Sequence, residues 1–273
     1  MPYAHAPDGV KLWFEAAGSG PPLLFVHELG SDLRQWRGQV EHFAPRFRCI
    51  AYDARGYPPS GVPGDDDAYV WERFCGDIGV VLDACGADRA VLVGWSMGAY
   101  AALQFARLHP ERAQGLVLAG VGSGSPDADQ PLWRAQMKAM SQAWLRAPAE
   151  GAAILAEAPN RQALKRRNPE AFAAWLADLR GHSPEGMART CRNYQGKRPG
   201  LQDFEAEFRR LRTPALIICG EEDGPCLETS HWLADVMPNA RLWLAPGLGH
   251  APSLEDPAAF NGALDGFLDG LTP

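Results

Sequence analysis

Ala90-Val91-Leu92-Val93-Gly94-Trp95-Ser96-Met97-Gly98-Ala99-Tyr100, continuing to His109-Pro110, is the stretch from which the fold class can be read. A buried run of β-formers stops at Gly94-Trp95-Ser96-Met97-Gly98, and an apolar helical pattern begins at once. A serine at so tight a strand-to-helix turn is held in a strained conformation with its hydroxyl exposed. Glycines two positions to either side let strand and helix approach each other without a clashing Cβ. The first turn of the helix aims backbone N–H groups at negative charge developing beside the serine. The five-residue pattern alone is common; its place between a buried strand and an apolar helix makes this instance specific.

Outward from that turn the same alternation repeats. Leu23–Val26, Cys49–Tyr52, Leu116–Leu118 and Ala215–Cys219 are apolar on both faces, as central strands of a parallel sheet covered by helices must be. Lys11–Glu15 fits an outer strand and Leu242-Trp243-Leu244 a last one. Helical segments are expected around 35–44, 69–84, 97–109, 228–236 and 257–268, the last opened by Asp256 as cap and Pro257 in the first turn. The pattern predicts an α/β fold, a doubly wound, mostly parallel sheet with helices on both faces.

Residues 121–200 break the alternation. They start with Gly122-Ser123-Gly124-Ser125-Pro126, carry no convincing strand, and repeat apolar residues at helical spacing, as in Trp133, Met137, Met140 and Trp144. Pro148, Pro159, Pro169 and Pro184 divide the segment into short helices. A helical cap over 121–200, inserted into a core of 1–120 and 201–273, is the expected organisation.

Composition bounds the function. The 273 residues, 46% hydrophobic and 22% charged, suit one soluble α/β domain with an embedded sub-domain. A formal net charge of -7 and scattered arginines argue against a nucleic-acid partner, which needs a sustained basic face. The basic cluster Lys165-Arg166-Arg167 reads as a solvated helix face. The start, Met1-Pro2-Tyr3-Ala4-His5, has neither basic region nor apolar run, and the apolar stretches elsewhere are too short for a bilayer. No signal peptide, no membrane association and a cytoplasmic location are therefore expected. Cys49, Cys75, Cys85, Cys191, Cys219 and Cys226 show no CxxC spacing and read as small buried hydrophobes, not a metal site.

A serine hydroxyl needs a base, and the base needs a carboxylate. Of the seven histidines, His250 is the best placed, in a Pro246-Gly247-Leu248-Gly249 loop after the last strand. His5, His42, His109, His182 and His231 fall in tails, helix faces or caps. Asp223, in Gly220-Glu221-Glu222-Asp223-Gly224, follows the strand Ala215–Cys219 where a loop at the carboxyl edge of the sheet presents it. Glu221 and Glu222 compete with it and are expected to be exposed.

On these residues the chain resembles the α/β-hydrolase superfamily over nearly its whole length, in particular its cap-bearing esterase, lactonase, perhydrolase and C–C hydrolase branch. The matching segments are the elbow around Ser96, Gly220–Gly224, Gly249-His250-Ala251-Pro252, Asp53-Ala54-Arg55-Gly56-Tyr57 and His27-Glu28-Leu29-Gly30. The order Ser96, Asp223, His250 is that of the family. The resemblance implies a Ser-His-Asp triad, an oxyanion hole from the Met97 and Leu29 backbone N–H groups, and no metal or organic cofactor. It also implies loop-organising roles for His27, Asp53 and Arg55.

The family usually carries glycine where this chain has Glu28. The bland expectation is that the Glu28 carboxylate pairs with a nearby arginine such as Arg55. The functional one is that Glu28 biases substrate choice against anionic acyl groups. Trp95, Trp133, Met137 and Trp144 are the other candidates for lining an apolar substrate pocket, against the competing reading that the cap residues form cap core. The expected function is a carboxylic ester hydrolase acting on a small-molecule ester or lactone. Hydrolysis of a C–C bond in a diketone-type substrate and perhydrolysis by the same triad are the alternatives. Serine at the elbow argues against dehalogenases and epoxide hydrolases, which place aspartate there. The absence of tryptophan shortly after His250 lowers the C–C option.

Overall fold

The apolar runs become the inner strands of one eight-stranded sheet in the computed structural model, in which residues 3–271 are described. The Met1-Pro2 start weighed above lies outside the described residues. The strands are β1 (Tyr3–His5), β2 (Lys11–Ala17), β3 (Pro22–Val26), β4 (Arg48–Tyr52), β5 (Ala90–Trp95), β6 (Ala113–Ala119), β7 (Ala215–Gly220) and β8 (Ala240–Ala245). Their order is β1-β2-β4-β3-β5-β6-β7-β8; β2 pairs antiparallel with β1 and β4, and all other pairings are parallel. Leu24, Phe25, Leu92, Val93, Leu116, Val117, Ile217 and Ile218 are fully buried, each contributing roughly 1.5–3 kcal/mol of apolar burial. β1 was not anticipated; three residues carry no readable period.

The direction of strand addition reverses at β3, whose neighbours are β4 and β5. Loops leaving the carboxyl ends of β3 and β5 therefore splay apart over a crevice, where ligands bind in open α/β sheets. Val26 pairs with Gly94, so the residues after β3 stand beside Trp95 and Ser96.

Most sheet-covering helices match the pattern, at Arg37–Phe43, Trp71–Ala84, Met97–Leu108, Gly224–Val236 and Pro257–Asp269. Asp256 caps the last of these, accepting the Ala259 N–H at 3.0 Å, an interaction worth about 1 kcal/mol.

Between β6 and β7 the described residues form helices and no strand: Gln130–Arg146, Pro148–Ala156, Gln162–Arg167, Pro169–Arg180, Pro184–Arg189 and Glu205–Phe208, with a π-helical turn at Thr190–Gln195 and 3-10 turns at Pro159–Arg161 and Leu201–Phe204. Pro148, Pro159, Pro169 and Pro184 each open one of these, where the missing N–H costs nothing. This insertion meets the sheet's loops directly. A Cβ at Gly186 would lie 1.9 Å from the Gly56 carbonyl oxygen, so backbone packs on backbone there. Leu155 and Leu179 cover Gly30, in the loop after β3.

Candidate active site

Ser96 sits at φ 51°, ψ -108°, and among the described residues no other non-glycine has a positive φ. Holding a serine there costs on the order of 1–3 kcal/mol. The surroundings enforce it: Ser96 N–H donates to Ala119 O at 2.7 Å, and Tyr100 N–H to Ser96 O at 3.0 Å. The flanking glycines are sterically required. A Cβ at Gly94 would meet the Gly98 oxygen at 2.5 Å, and one at Gly98 the Val26 oxygen at 2.2 Å.

His250 and Asp223 meet two strands away, in loops laced together. Glu222 N–H donates to Leu248 O at 2.9 Å, and a Cβ on Gly220 would overlap the Leu248 and Gly249 oxygens. His250 Nδ1 lies 2.7 Å from Asp223 Oδ2, with Asp223 fully buried and His250 2% exposed. A carboxylate only accepts, so Nδ1 carries the proton and Nε2 keeps its lone pair. The ring packs against Gly120, at the end of β6 beside the strand that bears Ser96.

Glu255, which the sequence did not single out, and Trp95, expected to line a substrate pocket, hold the imidazole loop. The Glu255 carboxylate accepts Gly249 N–H at 2.6 Å and Ala251 N–H at 3.0 Å, gripping the backbone on both sides of His250. The Trp95 indole N–H donates to His250 O at 2.5 Å, tying the neighbour of Ser96 to the His250 loop. Glu255 had a weak signal, an acidic residue one turn after the histidine.

Glu28 does not pair with Arg55. Arg55 is already engaged by Asp77 (2.7 and 2.6 Å), Asp8 (2.7 Å) and the Ala68 oxygen, so an arginine does pair with Glu28 but not the one named. The partner is Arg161, from the 3-10 turn of the insertion, whose terminal nitrogen binds Glu28 Oε2. Both residues are buried, and Arg161 makes cation–π contacts with two indoles, its guanidinium carbon 4.7 Å from the Trp175 centroid and 5.2 Å from that of Trp95. Glu28 Oε2 is also 3.9 Å from His250 Nε2. Burial pushes the Glu28 carboxyl above the usual carboxylate range, against the pull of Arg161 and His250. Nothing in the sequence marks Arg161, which is remote in the chain from every motif. Glu28 has an ordinary backbone, its C=O accepting the His27 Nδ1–H at 2.8 Å, while His27 Nε2 accepts Ala54 N–H at 2.9 Å. Asp53 Oδ1 accepts Leu33 N–H at 2.8 Å.

Leu29 N–H and Met97 N–H have no acceptor among the described residues. Met97 begins its helix, where first-turn N–H groups lack partners by construction. The insertion's aromatic residues are placed differently from Trp95. Trp133 donates its indole N–H to Gln195 O at 2.7 Å, Met137 packs near Gly196, and the fully buried Trp144 lies on Gly151. Their contacts are those of the insertion's own core. A cleft of about 150 Å³ lined by Ser31, Gln35, Trp175 and Leu254 opens between the loop after β3 and the helix Pro169–Arg180. Asp223, Cys226 and His250 cluster closely enough to suggest metal donors. Asp223 and His250 already face each other, and burial holds the Cys226 thiol far above its usual range, disfavouring the thiolate a metal needs.

A family model described as "alpha/beta hydrolase fold" matches residues 21–257, and the chain belongs to that family. It is similar to the solved structure of a thermophilic esterase from Thermogutta terrifontis (TM-score 0.86, 27% identity, 100% of this chain and 98% of that one). An enol-lactonase structure from Burkholderia xenovorans LB400 gives a TM-score of 0.82 at 26% identity, covering 98% and 100%. In sequence, 3-oxoadipate enol-lactonase 2 of Acinetobacter baylyi is 25% identical over 91% of this chain and 88% of its own. No described helix is long and apolar enough to cross a membrane.

Proposed function

We propose that this protein is a serine hydrolase cleaving a carboxylic ester or lactone, with Ser96 as nucleophile, His250 as base and Asp223 as its orienting carboxylate. The observation that carries the reading is the 2.7 Å Asp223–His250 contact, which leaves Nε2 unprotonated on the sheet edge that bears the strained serine. His250 Nε2 takes the Ser96 proton as Oγ attacks the substrate carbonyl. The tetrahedral oxyanion lies against the Leu29 and Met97 N–H groups, each worth roughly 3 kcal/mol in a dry site. The imidazolium then protonates the leaving alkoxide, and water repeats the sequence on the acyl-enzyme. The residues of 121–200 act as a cap that bounds a small-molecule site. Esterase and enol-lactonase neighbours support the substrate class.

Ser96→Ala is expected to abolish labelling by a fluorophosphonate probe with unchanged circular dichroism. Labelling that persists in the variant would move the nucleophile elsewhere. A panel of p-nitrophenyl esters, lactones and a vinylogous diketone should give turnover on the first two; turnover of the diketone alone would favour C–C cleavage.

A further inference from the structure

The imidazole of His250 has a carboxylate on each side, Asp223 at Nδ1 and Glu28 near Nε2. The first belongs to the triad; the second has no part in the scheme above. Glu28 is 1% exposed, and its Oε1 has no hydrogen-bond partner. Burying a carboxylate oxygen unpaired is costly, and such a group persists where something uses it. A purely structural ion pair would not need to end beside the one ring nitrogen that must remain free.

Three features prepare Glu28 to act on a reactant. Its main chain is clamped, the carbonyl oxygen accepting from both His27 Nδ1–H and Ser31 N–H. Its Oε2 is tied to Arg161, whose guanidinium lies over the Trp95 and Trp175 rings. Its separation from Nε2 is 3.9 Å, too long for a direct hydrogen bond yet short enough for one water to lie about 2.8 Å from both. Glu28 also adjoins Leu29, whose N–H is the proposed oxyanion donor. An isolated anion there would repel the developing oxyanion, so the guanidinium of Arg161 is needed to cancel its field.

Resting on the serine-hydrolase reading, we infer that Glu28, held by Arg161, positions the hydrolytic water for attack on the acyl-enzyme. The water donates one hydrogen bond to His250 Nε2 and the other to the Glu28 carboxylate. As its oxygen bonds to the acyl carbon, the carbonyl π pair moves onto the oxyanion and the first proton passes to Nε2. Collapse of the intermediate breaks the acyl–Oγ bond, and Ser96 Oγ recovers the proton from His250. Glu28 remains a carboxylate throughout and gains no covalent bond. In acylation no water is required, so Glu28 has no equivalent task there. The asymmetry between half-reactions distinguishes this role from general structural support.

The test is pre-steady-state kinetics on p-nitrophenyl acetate, with intact-mass detection of the acyl-enzyme. Glu28→Gln should slow deacylation by about 10²-fold while acylation changes by no more than about threefold. KM should fall together with kcat, a p-nitrophenolate burst should appear, and an acetyl adduct on Ser96 should accumulate. Hydroxylamine, which intercepts acyl-enzymes without a positioned water, should restore most of the lost turnover. Because Glu28→Gln strands a buried guanidinium, the charge-balanced pair Glu28→Gln with Arg161→Gln is measured alongside and should show the same selective loss. Equal slowing of both half-reactions, or deacylation at the wild-type rate in either folded variant, would overturn the assignment. A wild-type enzyme that neither reacts with fluorophosphonate nor forms an acetyl adduct would instead remove the serine reading beneath it, a separate and recognisable outcome.

Discussion

Asp53 shows how one residue of the loop after β4 records its burial as a pH dependence. Its Oδ1 holds Leu33 N–H, and burial raises its carboxyl to about 8. A carboxyl whose folded value exceeds its unfolded one, near 3.9, contributes most at low pH and loses that contribution as pH climbs toward the folded value. The window here runs from about 4 to about 8. Asp53→Asn retains an acceptor for Leu33 without the titration, so its melting temperature should gain on the wild type between pH 5 and pH 8. A difference that is flat across that interval would show that Asp53 is not the group responsible. At this scale the sequence singled out candidate residues and did not name their partners. Ser96 and Asp223 stood out because each follows a buried strand, and His250 because it lies in a glycine-rich loop after the last strand. Glu28 stood out because a glycine was expected. That Arg161 and not Arg55 answers it could not be read, because an ion pair across a fold leaves no local spacing.

Elements were the most legible level, since a buried strand and an amphipathic helix each leave a period in the chain. The prolines at 148, 159, 169 and 184 predicted the breaks in the insertion because their ring suits the first helical turn and little else. Less legible were elements shaped by backbone contacts alone. The loop carrying His250 is one, since the Glu255 carboxylate fixes it through two main-chain amides that have no residue identity to read. Glu255→Ala removes both acceptors and should cost about 2–4 kcal/mol in urea denaturation. It should also lower kcat, because the imidazole loses its anchor. Unchanged stability would mean that Trp95 alone secures the loop.

Across the whole molecule, insertion and sheet are joined by contacts that allow little adjustment. Gly186 rests on Gly56 with no side chain between them. Gly186→Ala therefore forces the helix Pro184–Arg189 off the loop after β4 and should cost about 1–3 kcal/mol. That corresponds to roughly 2–4 °C per kcal/mol in a thermal melt. Gly262→Ala, in the helix Pro257–Asp269 with open space around it, is the matched control and should raise stability through helix propensity. Equal effects of the two would refute the backbone contact as a constraint.

The pairing of Glu28 with Arg161 joins a loop of the sheet to a turn of the insertion, and this bears on what the molecule can exchange without loss. Exchanging the insertion for another would strand an anion in the interior beside His250, while glycine at position 28 would strand the buried Arg161 cation against the Trp95 and Trp175 rings. Losing either partner alone leaves a buried charge unanswered, so the insertion is coupled to the sheet through this pair and is not a freely replaceable module.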